Sequence, residues 1–274
     1  MTRILAISNQ KGGTAKTTSA INIAAGLARS LPGQRILLVD VDPQANASAA
    51  FLTARYVKDP AVQATVYEVL MADKVTLAQA LLAAAIKTVD LATRGDTPPA
   101  RLDILPAHKR LAAAELELVS AMQRESRLRD ALSGRLDQYA YIIIDCPPAL
   151  GLLTLNALMA ATEVIVPVDP GYFPIIGISD LSGTIDRVQR GNPGLRISGV
   201  IPTRIENTLA SRETVEALRA QFGNLVLPSV PENVSLTESP ATQQDIYAYK
   251  PSSPGAIAYA AVVKEIIQRG NHGH

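Results

Sequence analysis

One ten-residue segment near the N-terminus constrains the fold of this chain more than any other feature. It reads N-Q-K-G-G-T-A-K-T-T over residues 9–18, after an apolar run at 4–7 and before an amphipathic stretch at 17–30. That order predicts a strand, a glycine turn and the start of a helix. Because the first N–H groups of a helix and its positive dipole end attract anions, such a loop is suited to a polyphosphate.

Individual residues of this loop have clear chemical uses. Gly12 and Gly13 allow the backbone to turn sharply and to approach phosphate closely. Lys16 supplies positive charge for the β- and γ-phosphates, and the Thr17 hydroxyl is suited to ligating magnesium. We therefore expect a nucleotide with its magnesium ion at this loop, and a Gly-Gly hairpin with unrelated lysines is the alternative.

The loop deviates from the common phosphate-binding pattern. The pattern G-x-x-x-x-G-K-[ST] fails because Gln10 and Ala15 stand at its glycine positions, whereas K-G-G-x-x-K-[ST] fits completely. Lys11 lies upstream of the glycines, where most phosphate loops have no lysine. This second lysine suggests a nucleotide switch that works as a dimer.

Composition narrows the class of protein. The chain has 274 residues, of which 47% are hydrophobic, so it can bury a substantial core and disorder is not expected. A formal net charge of +1 does not argue for a polyanionic partner. The single cysteine, Cys146, and an N-terminus that becomes polar at Ser8 predict a cytoplasmic protein without a signal peptide. The apolar runs are too short for the roughly 20 residues that a transmembrane helix needs.

Strand and helix patterns alternate along most of the chain. Apolar runs typical of buried strands recur at 4–7, 35–41, 102–105, 139–144, 164–168, 197–201 and 225–227. Helical patterns occur at 17–30, 111–136, 152–161, 175–189, 209–222 and 253–269. This alternation predicts an α/β fold: a doubly wound, mostly parallel sheet flanked by helices, of the P-loop NTPase type.

The chain is expected to form one domain over residues 1–270. Residues 53–100 are predicted to be a helical excursion from it, with a loop at 94–100, and residues 271–274 to be a frayed tail.

Carboxylates follow two of the predicted strands. Asp145 ends the run Y-I-I-I-D, and ligands of open parallel sheets bind at the carboxyl ends of strands, so Asp145 is a candidate for the magnesium shell. Asp40 and Asp42 alternate at the end of another strand, so their side chains face opposite sides. One of the two is expected to reach the nucleotide and the other to pack structurally.

Together these motifs resemble the ParA/Soj family of chromosome and plasmid partition ATPases, which have a deviant Walker A loop. Beyond the loop, the resemblance extends over V-D-V-D-P-Q-A-N at 39–46, Y-I-I-I-D-C-P-P-A-L-G-L-L at 141–153 and V-P-E-N-V-S-L-T-E-S-P at 230–240. It also includes A-E-L-E-L-V within 106–119 and is weakest over residues 53–100. The first strand begins at the N-terminus, so the extra DNA-reading domain of larger plasmid relatives is expected to be missing.

The resemblance implies a role for each matching residue. Lys11 would cross a dimer interface to the partner's phosphates, and Asp40 would orient the attacking water or its magnesium network. Pro231 and Asn233 would lie near the adenine. The implied catalytic residues are Lys11, Lys16 and Asp40, and the implied metal residues are Thr17, Asp40 and Asp145. The implied ATP-binding residues are Lys11, Gly12, Gly13, Thr14, Ala15, Lys16, Thr17, Thr18, Pro231 and Asn233.

The resemblance also implies partners. ATP and magnesium would close a homodimer that binds DNA non-specifically on the nucleoid, and a ParB-type partner would stimulate hydrolysis. Stable membrane association is not expected.

Two departures from the family pattern matter. If Ala15 needs a positive φ, its side chain costs roughly 1 kcal/mol or more. Glu232, Ser235 and Thr208 stand where the family usually has arginines, and residues 200–260 contain four basic and six acidic side chains. Because non-specific DNA affinity comes mainly from lysine and arginine contacts to phosphate, the usual basic surface is thinned. The DNA-binding candidates are Arg187, Arg190, Arg196, Arg204, Arg212 and Arg219.

Three other functions compete with partition. A related ATPase that positions another cargo would share this site. A MinD-like membrane ATPase needs a basic amphipathic C-terminal helix, whereas the stripe Tyr259, Val262, Val263, Ile266 and Ile267 has few charges beyond it and is typical of a core helix. The iron protein of nitrogenase-like reductases needs cluster-binding cysteines, and this chain has one cysteine.

Overall fold

Seven strands form one sheet in this computed structural model, which describes residues 2–53, 55–59, 61, 64–92, 100–170 and 182–271. The strands are β1 (Arg3–Ile7), β2 (Ile36–Asp40), β3 (Lys87–Leu91), β4 (Ala100–Leu105), β5 (Tyr141–Asp145), β6 (Glu163–Val168) and β7 (Arg196–Pro202). Their spatial order is β3-β4-β2-β5-β1-β6-β7, and every pairing is parallel except that of β3 with β4. The predicted α/β fold with a mostly parallel sheet is confirmed.

Helices cover both faces of this sheet. In chain order they are α1 (Lys16–Ser30), α2 (Asn46–Leu52), α3 (Val66–Met71), α4 (Val75–Ala85), α5 (Leu111–Glu117), α6 (Arg127–Leu132), α7 (Leu152–Ala160), α8 (182–188), α9 (Leu209–Phe222), α10 (Val234–Glu238), α11 (Ile246–Tyr249) and α12 (Pro254–Asn271).

Two separate cores explain why the central strands are apolar without interruption. Successive side chains of a strand point to opposite faces, and helices cover both faces of a parallel sheet. In β1, Ile4 and Ala6 belong to the core beneath α3 to α7, whereas Leu5 and Ile7 belong to the core beneath α1 and α12. Each central strand therefore needs apolar residues at nearly every position.

The single helix predicted over 111–136 is wrong. The helical segment ends with the turn Leu118–Ser120, and Gln123 has a left-handed φ of 52° before α6 begins. The Asn156 side chain of α7 forms hydrogen bonds with backbone groups at this break: its amide oxygen accepts from Leu128 N, and its amide nitrogen donates to Arg124 O. A partner distant in sequence thus replaces the hydrogen bonds that a continuous helix would have made.

One helix prediction and one strand prediction also need correction. Residues 87–91, which the sequence analysis included in a helical excursion, form the antiparallel edge strand β3, whose alternating exposure is typical of a strand covered on one side. The strand predicted at 225–227 is only an isolated bridge between Val226 and Val200. Pro228 follows directly and has no N–H to extend the ladder. Of the loop predicted at 94–100, residues 94–99 lie outside the described residues and Ala100 begins β4. Of the helix predicted at 175–189, residues 175–181 lie outside the described residues, and 182–188 form α8.

Helix α12 packs its apolar face against α1 and the sheet. Tyr259, Val262, Val263 and Ile266 are all buried in the core that contains α1. The two helices approach closely at Gly26, where an added Cβ would lie 2.7 Å from Val263 Cγ2. The prediction of a core helix is confirmed.

In the described part of the chain, no helix combines the length and apolar character that crossing a bilayer requires.

The Ile266→Ala variant tests the packing of α12. We expect it to lower the free energy of unfolding by about 2–4 kcal/mol, because the deletion leaves a cavity in a closed core. Ile257→Ala on the same helix removes a side chain that is 62% exposed and should change stability by less than about 0.5 kcal/mol. Urea titrations of both variants make the comparison, and equal losses would contradict this packing.

Candidate functional site

The carboxyl ends of β1, β2 and β5 meet at one level of the sheet. Parallel pairing sets Asp145 of β5 opposite both Ile7 of β1 and Asp40 of β2. Because β1 pairs with β5 on one side and β6 on the other, the strand order reverses beside it. Ligands of open α/β sheets bind at such a reversal, so the loops after these strands converge on a candidate site.

A cavity of about 340 Å³ opens where these loops converge. Its wall combines the loop at 12–18 with segments that are distant in sequence, namely Asp42, Pro148, 203–204, 230–233 and Tyr259. The predicted phosphate loop and the predicted adenine residues therefore line the same cavity.

The phosphate loop leaves room for a ligand against its backbone. A Cβ added to Gly12 or Gly13 would meet no atom within 4 Å, and Gly13 has a φ of 76°. Ala15 has φ 59° and ψ 32°, which is left-handed, and α1 begins at the next residue. The sequence alone did not determine whether Ala15 needs a positive φ; in the structure it does, so its backbone is strained.

The two lysines of the loop have different environments. Lys16 is buried, and its Nζ donates to the Lys11 carbonyl oxygen at 2.8 Å. Burial lowers the pKa of Lys16, although the nearby Asp145 opposes the shift. Lys11 is exposed, and its side chain is not part of the wall of this cavity. Lys16 is therefore oriented within its own site, whereas Lys11 is available to another molecule.

Asp145 is a buried carboxylate without hydrogen bonds. Both of its oxygens are buried, and neither has a hydrogen-bond partner among the described residues. Burial raises its pKa well above the usual value, and the adjacent Asp40 raises it further. Thr17 and Lys16 lie close enough to oppose this shift, although neither makes a hydrogen bond of normal geometry to the carboxylate. A cation near Thr17 would stabilise the ionised carboxylate.

Asp42, rather than Asp40, reaches the cavity wall. Asp40 is fully buried and accepts hydrogen bonds from Ser48 N at 2.8 Å, Ser48 Oγ at 2.7 Å and Asp42 N at 3.1 Å. Burial raises the pKa of Asp40 to about 6, despite these hydrogen bonds. Asp42 lines the cavity and is slightly exposed. The alternation along the strand indicated that the two side chains face opposite sides, and the catalytic and metal role predicted for Asp40 stays a prediction.

The end of the cavity formed by residues 230–237 carries the predicted adenine residues. Pro231 is half-buried, and Asn233 precedes α10 without capping it. The Asn233 Oδ1 atom is buried without a hydrogen-bond partner among the described residues. An unpaired buried acceptor costs free energy, and a hydrogen-bond donor on a ligand would remove this cost.

Two residues of the site carried no local signal in the sequence. Thr203 is buried, and its Oγ1 donates to the Thr14 carbonyl of the phosphate loop at 3.2 Å. Tyr259 of α12 lines the cavity, and its hydroxyl lies 2.9 Å from Ser19 Oγ in α1. The helical spacing around Tyr259 indicated only a core residue, and Thr203 belongs to no motif.

The six predicted DNA-binding arginines differ in how far neighbouring groups compensate their charge. Arg204 pairs with Asp169 and Glu232, and Arg196 lies 3.6 Å from Glu163. Arg187 donates to Gly183 O within α8, and Arg212 donates to Asn207. All six arginines are exposed, including Arg190 and Arg219. Arg204 is the one whose charge is most fully compensated.

The chain matches one family profile and is similar to characterised bacterial proteins over nearly its whole length. Residues 2–197 match the sequence profile of a family described as an AAA domain. The chain is 42% identical to the chromosome partitioning protein ParA of Myxococcus xanthus over 270 residues, which are 97% of this chain and 88% of that protein. It is 39% identical to the sporulation initiation inhibitor protein Soj of Bacillus subtilis over 273 residues, 98% and 100% of the two chains.

A similar solved structure holds a nucleotide. The fold matches cobyrinic acid a,c-diamide synthase from Mycobacterium smegmatis with bound ADP and magnesium, at a TM-score of 0.77 and 34% identity. The match covers 100% of this chain and 97% of that one. The same protein is also known with a bound ATP analog and magnesium.

The Ala15→Gly variant tests the strained loop. A left-handed alanine costs about 1–2 kcal/mol, and the greater freedom of glycine in the unfolded chain offsets about 0.4–1 kcal/mol of the relief. We therefore expect the free energy of unfolding to rise by about 0.5–1 kcal/mol. Ala83→Gly, at an exposed position inside α4, should instead lower it by about 1 kcal/mol. Denaturant titrations measure both, and similar losses in the two variants would contradict a left-handed Ala15.

Proposed function

The chain belongs to the ParA/Soj family of partition ATPases, and we propose that it is an ATP-dependent dimerisation switch that drives DNA segregation. In this proposal it binds ATP and magnesium, closes a homodimer, binds DNA non-specifically and hydrolyses ATP slowly until a ParB-type partner stimulates it. It acts in the cytoplasm, in association with the nucleoid.

The observation that carries the proposal is the buried carboxylate of Asp145, which has no hydrogen-bond partner in the described part of the chain and lies beside Lys16 and Thr17, next to a loop with open space at Gly12. Phosphate fits against the loop backbone, and magnesium fits the oxygen atoms of Asp145 and Thr17. The described residues contain no group of three or more metal-binding side chains. That suits magnesium, which proteins hold with one or two carboxylates, water and phosphate oxygens.

Different residues of the site contribute to different parts of phosphoryl transfer. Hydrolysis forms a bond from a water oxygen to the γ-phosphorus and breaks the bond to the β–γ bridging oxygen, so that ADP leaves. Catalysis of this reaction consists of positioning and charge stabilisation. Lys16 stabilises charge on the β- and γ-phosphates, and Asp42 at the cavity wall orients the attacking water. When bound, magnesium neutralises phosphate charge, with Thr17 and Asp145 holding it.

Lys11 is assigned to the partner's site. It is exposed and outside the wall of its own cavity, although the next residues of the loop line that cavity. A lysine supplied across a dimer stabilises transition-state charge in the way an arginine finger does. The switch would thus hydrolyse ATP only when two copies meet.

The alternatives are weaker for particular reasons. A MinD-like membrane role needs an exposed apolar helix face, and the apolar face of α12 is buried against α1. An iron–sulfur reductase needs several cysteines, and Cys146 is single and buried. An ATPase that positions another cargo would use the same site, and a different partner would distinguish it.

Variants of the two loop lysines test the switch. Lys16→Ala should lower ATP turnover by about 100-fold or more, because it removes charge from the site itself. Lys11→Ala should still bind ATP but lose dimer-dependent turnover by at least about tenfold. ATP titration by calorimetry and phosphate release at rising protein concentration measure the two effects.

Lys250→Ala, at an exposed lysine outside the cavity, is the matched control and should behave as the wild type. Normal concentration-dependent turnover in Lys11→Ala would contradict its role across the dimer. Failure of the wild-type protein to bind ATP would contradict the proposed function.

DNA binding is tested by gel-shift titration with ATP and magnesium at two salt concentrations. Affinity for a random duplex should be highest near ~50 mM salt and fall steeply towards ~200 mM, because binding depends on phosphate contacts. Arg190→Ala and Arg219→Ala should each weaken binding and reduce the salt slope by about one. Arg101→Ala, an exposed arginine paired with Asp90, is the control. No shift at low salt would overturn the DNA role.

A further inference from the structure

Three charged side chains, two of which line the cavity, form a cluster around Arg204. The Arg204 guanidinium donates from Nε to Glu232 Oε2 at 2.8 Å and from Nη1 to Asp169 Oδ2 at 3.2 Å. Arg204 and Glu232 both line the cavity.

The backbone around Arg204 is held in an unusual conformation. Arg204 has a φ of 54°, which is left-handed and strained for a residue with a side chain. Hydrogen bonds from Ile205 N to Val230 O and from Glu232 N to Ile205 O join its segment to the opposite one. Strain of this kind persists where the surrounding structure over-determines it, and it concentrates at functional sites.

The charge of the cluster determines which part of a ligand it suits. Glu232 is the carboxylate that lines this end of the cavity, whereas Lys16 supplies positive charge at the loop end. Phosphate is therefore favoured at the loop and disfavoured at Glu232. The part of a nucleotide that meets Glu232 must donate hydrogen bonds rather than carry negative charge.

Depth distinguishes the two acceptors at this end. Asn233 Oδ1 is buried, whereas the Glu232 side chain is 42% exposed, and neither Asn233 Oδ1 nor Glu232 Oε1 has a hydrogen bond among the described residues. A nucleoside offers donors at two places, the amino group of the base and the hydroxyls of the ribose. The buried acceptor suits the base, and the acceptor at the mouth suits the sugar.

We propose that Glu232, oriented by Arg204, accepts a hydrogen bond from a ribose hydroxyl of the bound nucleotide and makes this site selective for ribonucleotides over deoxyribonucleotides. Carboxylates perform this task in other nucleotide sites because a charged acceptor binds a hydroxyl more strongly than a neutral one does. Arg204 is a positioning residue in this proposal, which rests on the proposed binding of ATP.

The test compares ATP with 2′-deoxy-ATP and 3′-deoxy-ATP by calorimetry on the full chain with magnesium. The wild-type protein should bind at least one deoxy analogue about tenfold more weakly than ATP, as expected for loss of a hydrogen bond to a charged group. Glu232→Ala should weaken the binding of ATP about tenfold and leave the affinity for that analogue unchanged. The ratio of the dissociation constant of the analogue to that of ATP should therefore approach one.

Two further variants separate positioning from general damage. Arg204→Ala should lower the same ratio, and the Glu232→Ala/Arg204→Ala double variant should lower it no further than Glu232→Ala alone. Glu206→Ala, an exposed carboxylate close to Arg204 that does not line the cavity, should keep the wild-type ratio.

The outcomes separate the two proposals. If ATP binds but both deoxy analogues bind equally well, or if Glu232→Ala weakens ATP and the analogues by the same factor, the role of Glu232 is overturned and the proposed function stands. If the wild-type protein binds no adenine nucleotide, both are overturned.

Discussion

The position of β5 between β1 and β2 is the constraint on which the rest of this site depends. That pairing sets Asp145 level with both Ile7 and Asp40, so the loops after three strands start from the same edge. It also buries two carboxylates on adjacent strands, and burial raises the pKa of each. Neighbouring buried carboxylates are costly unless something compensates them. Asp40 obtains that compensation from the protein, whereas Asp145 makes no hydrogen bond to any described residue, which is why it is the informative member of the pair.

Asp40 contributes to the site by holding its neighbours. Its carboxylate binds the N–H and hydroxyl of Ser48, and the same hydroxyl accepts from Ala107 N at 2.9 Å. One buried network thus joins the end of β2, the helix α2 and the loop after β4. The hydrogen bond from Asp42 N to Asp40 fixes the backbone that carries Asp42 to the cavity wall. Asp40 thus holds its neighbours in place, and the proposed function assigns ligand chemistry to Asp42 for this reason, whereas the catalytic and metal role predicted for Asp40 stays a prediction.

Three strained backbone conformations lie around the same edge of the sheet. Ala15 at the start of α1, Ala45 at the start of α2 and Arg204 at the cavity mouth all have left-handed conformations that favour glycine. Such residues lower stability and persist because the packing around them leaves no alternative. Each lies in or beside a segment that the proposed function uses. Three of the six described non-glycine residues with positive φ thus lie near the expected ligand, whereas Thr53, Gln123 and Gln243 have positive φ in other segments.

The position of the phosphate loop, the carboxylate at the end of β5 and the α/β fold could be predicted from the sequence, because each depends on residue type and local period. Helix α9 was predicted with its observed bounds, since its apolar spacing and end residues are local signals. The break between α5 and α6 could not be predicted, because Asn156 creates it from a distant helix. The alternation of Asp40 and Asp42 was visible in the sequence, but which of them faces the cavity depends on Ser48 and Ala107. The tertiary structure alone decided that choice and the pairing of Arg204 with Glu232, because both depend on contacts between segments that are far apart in the chain.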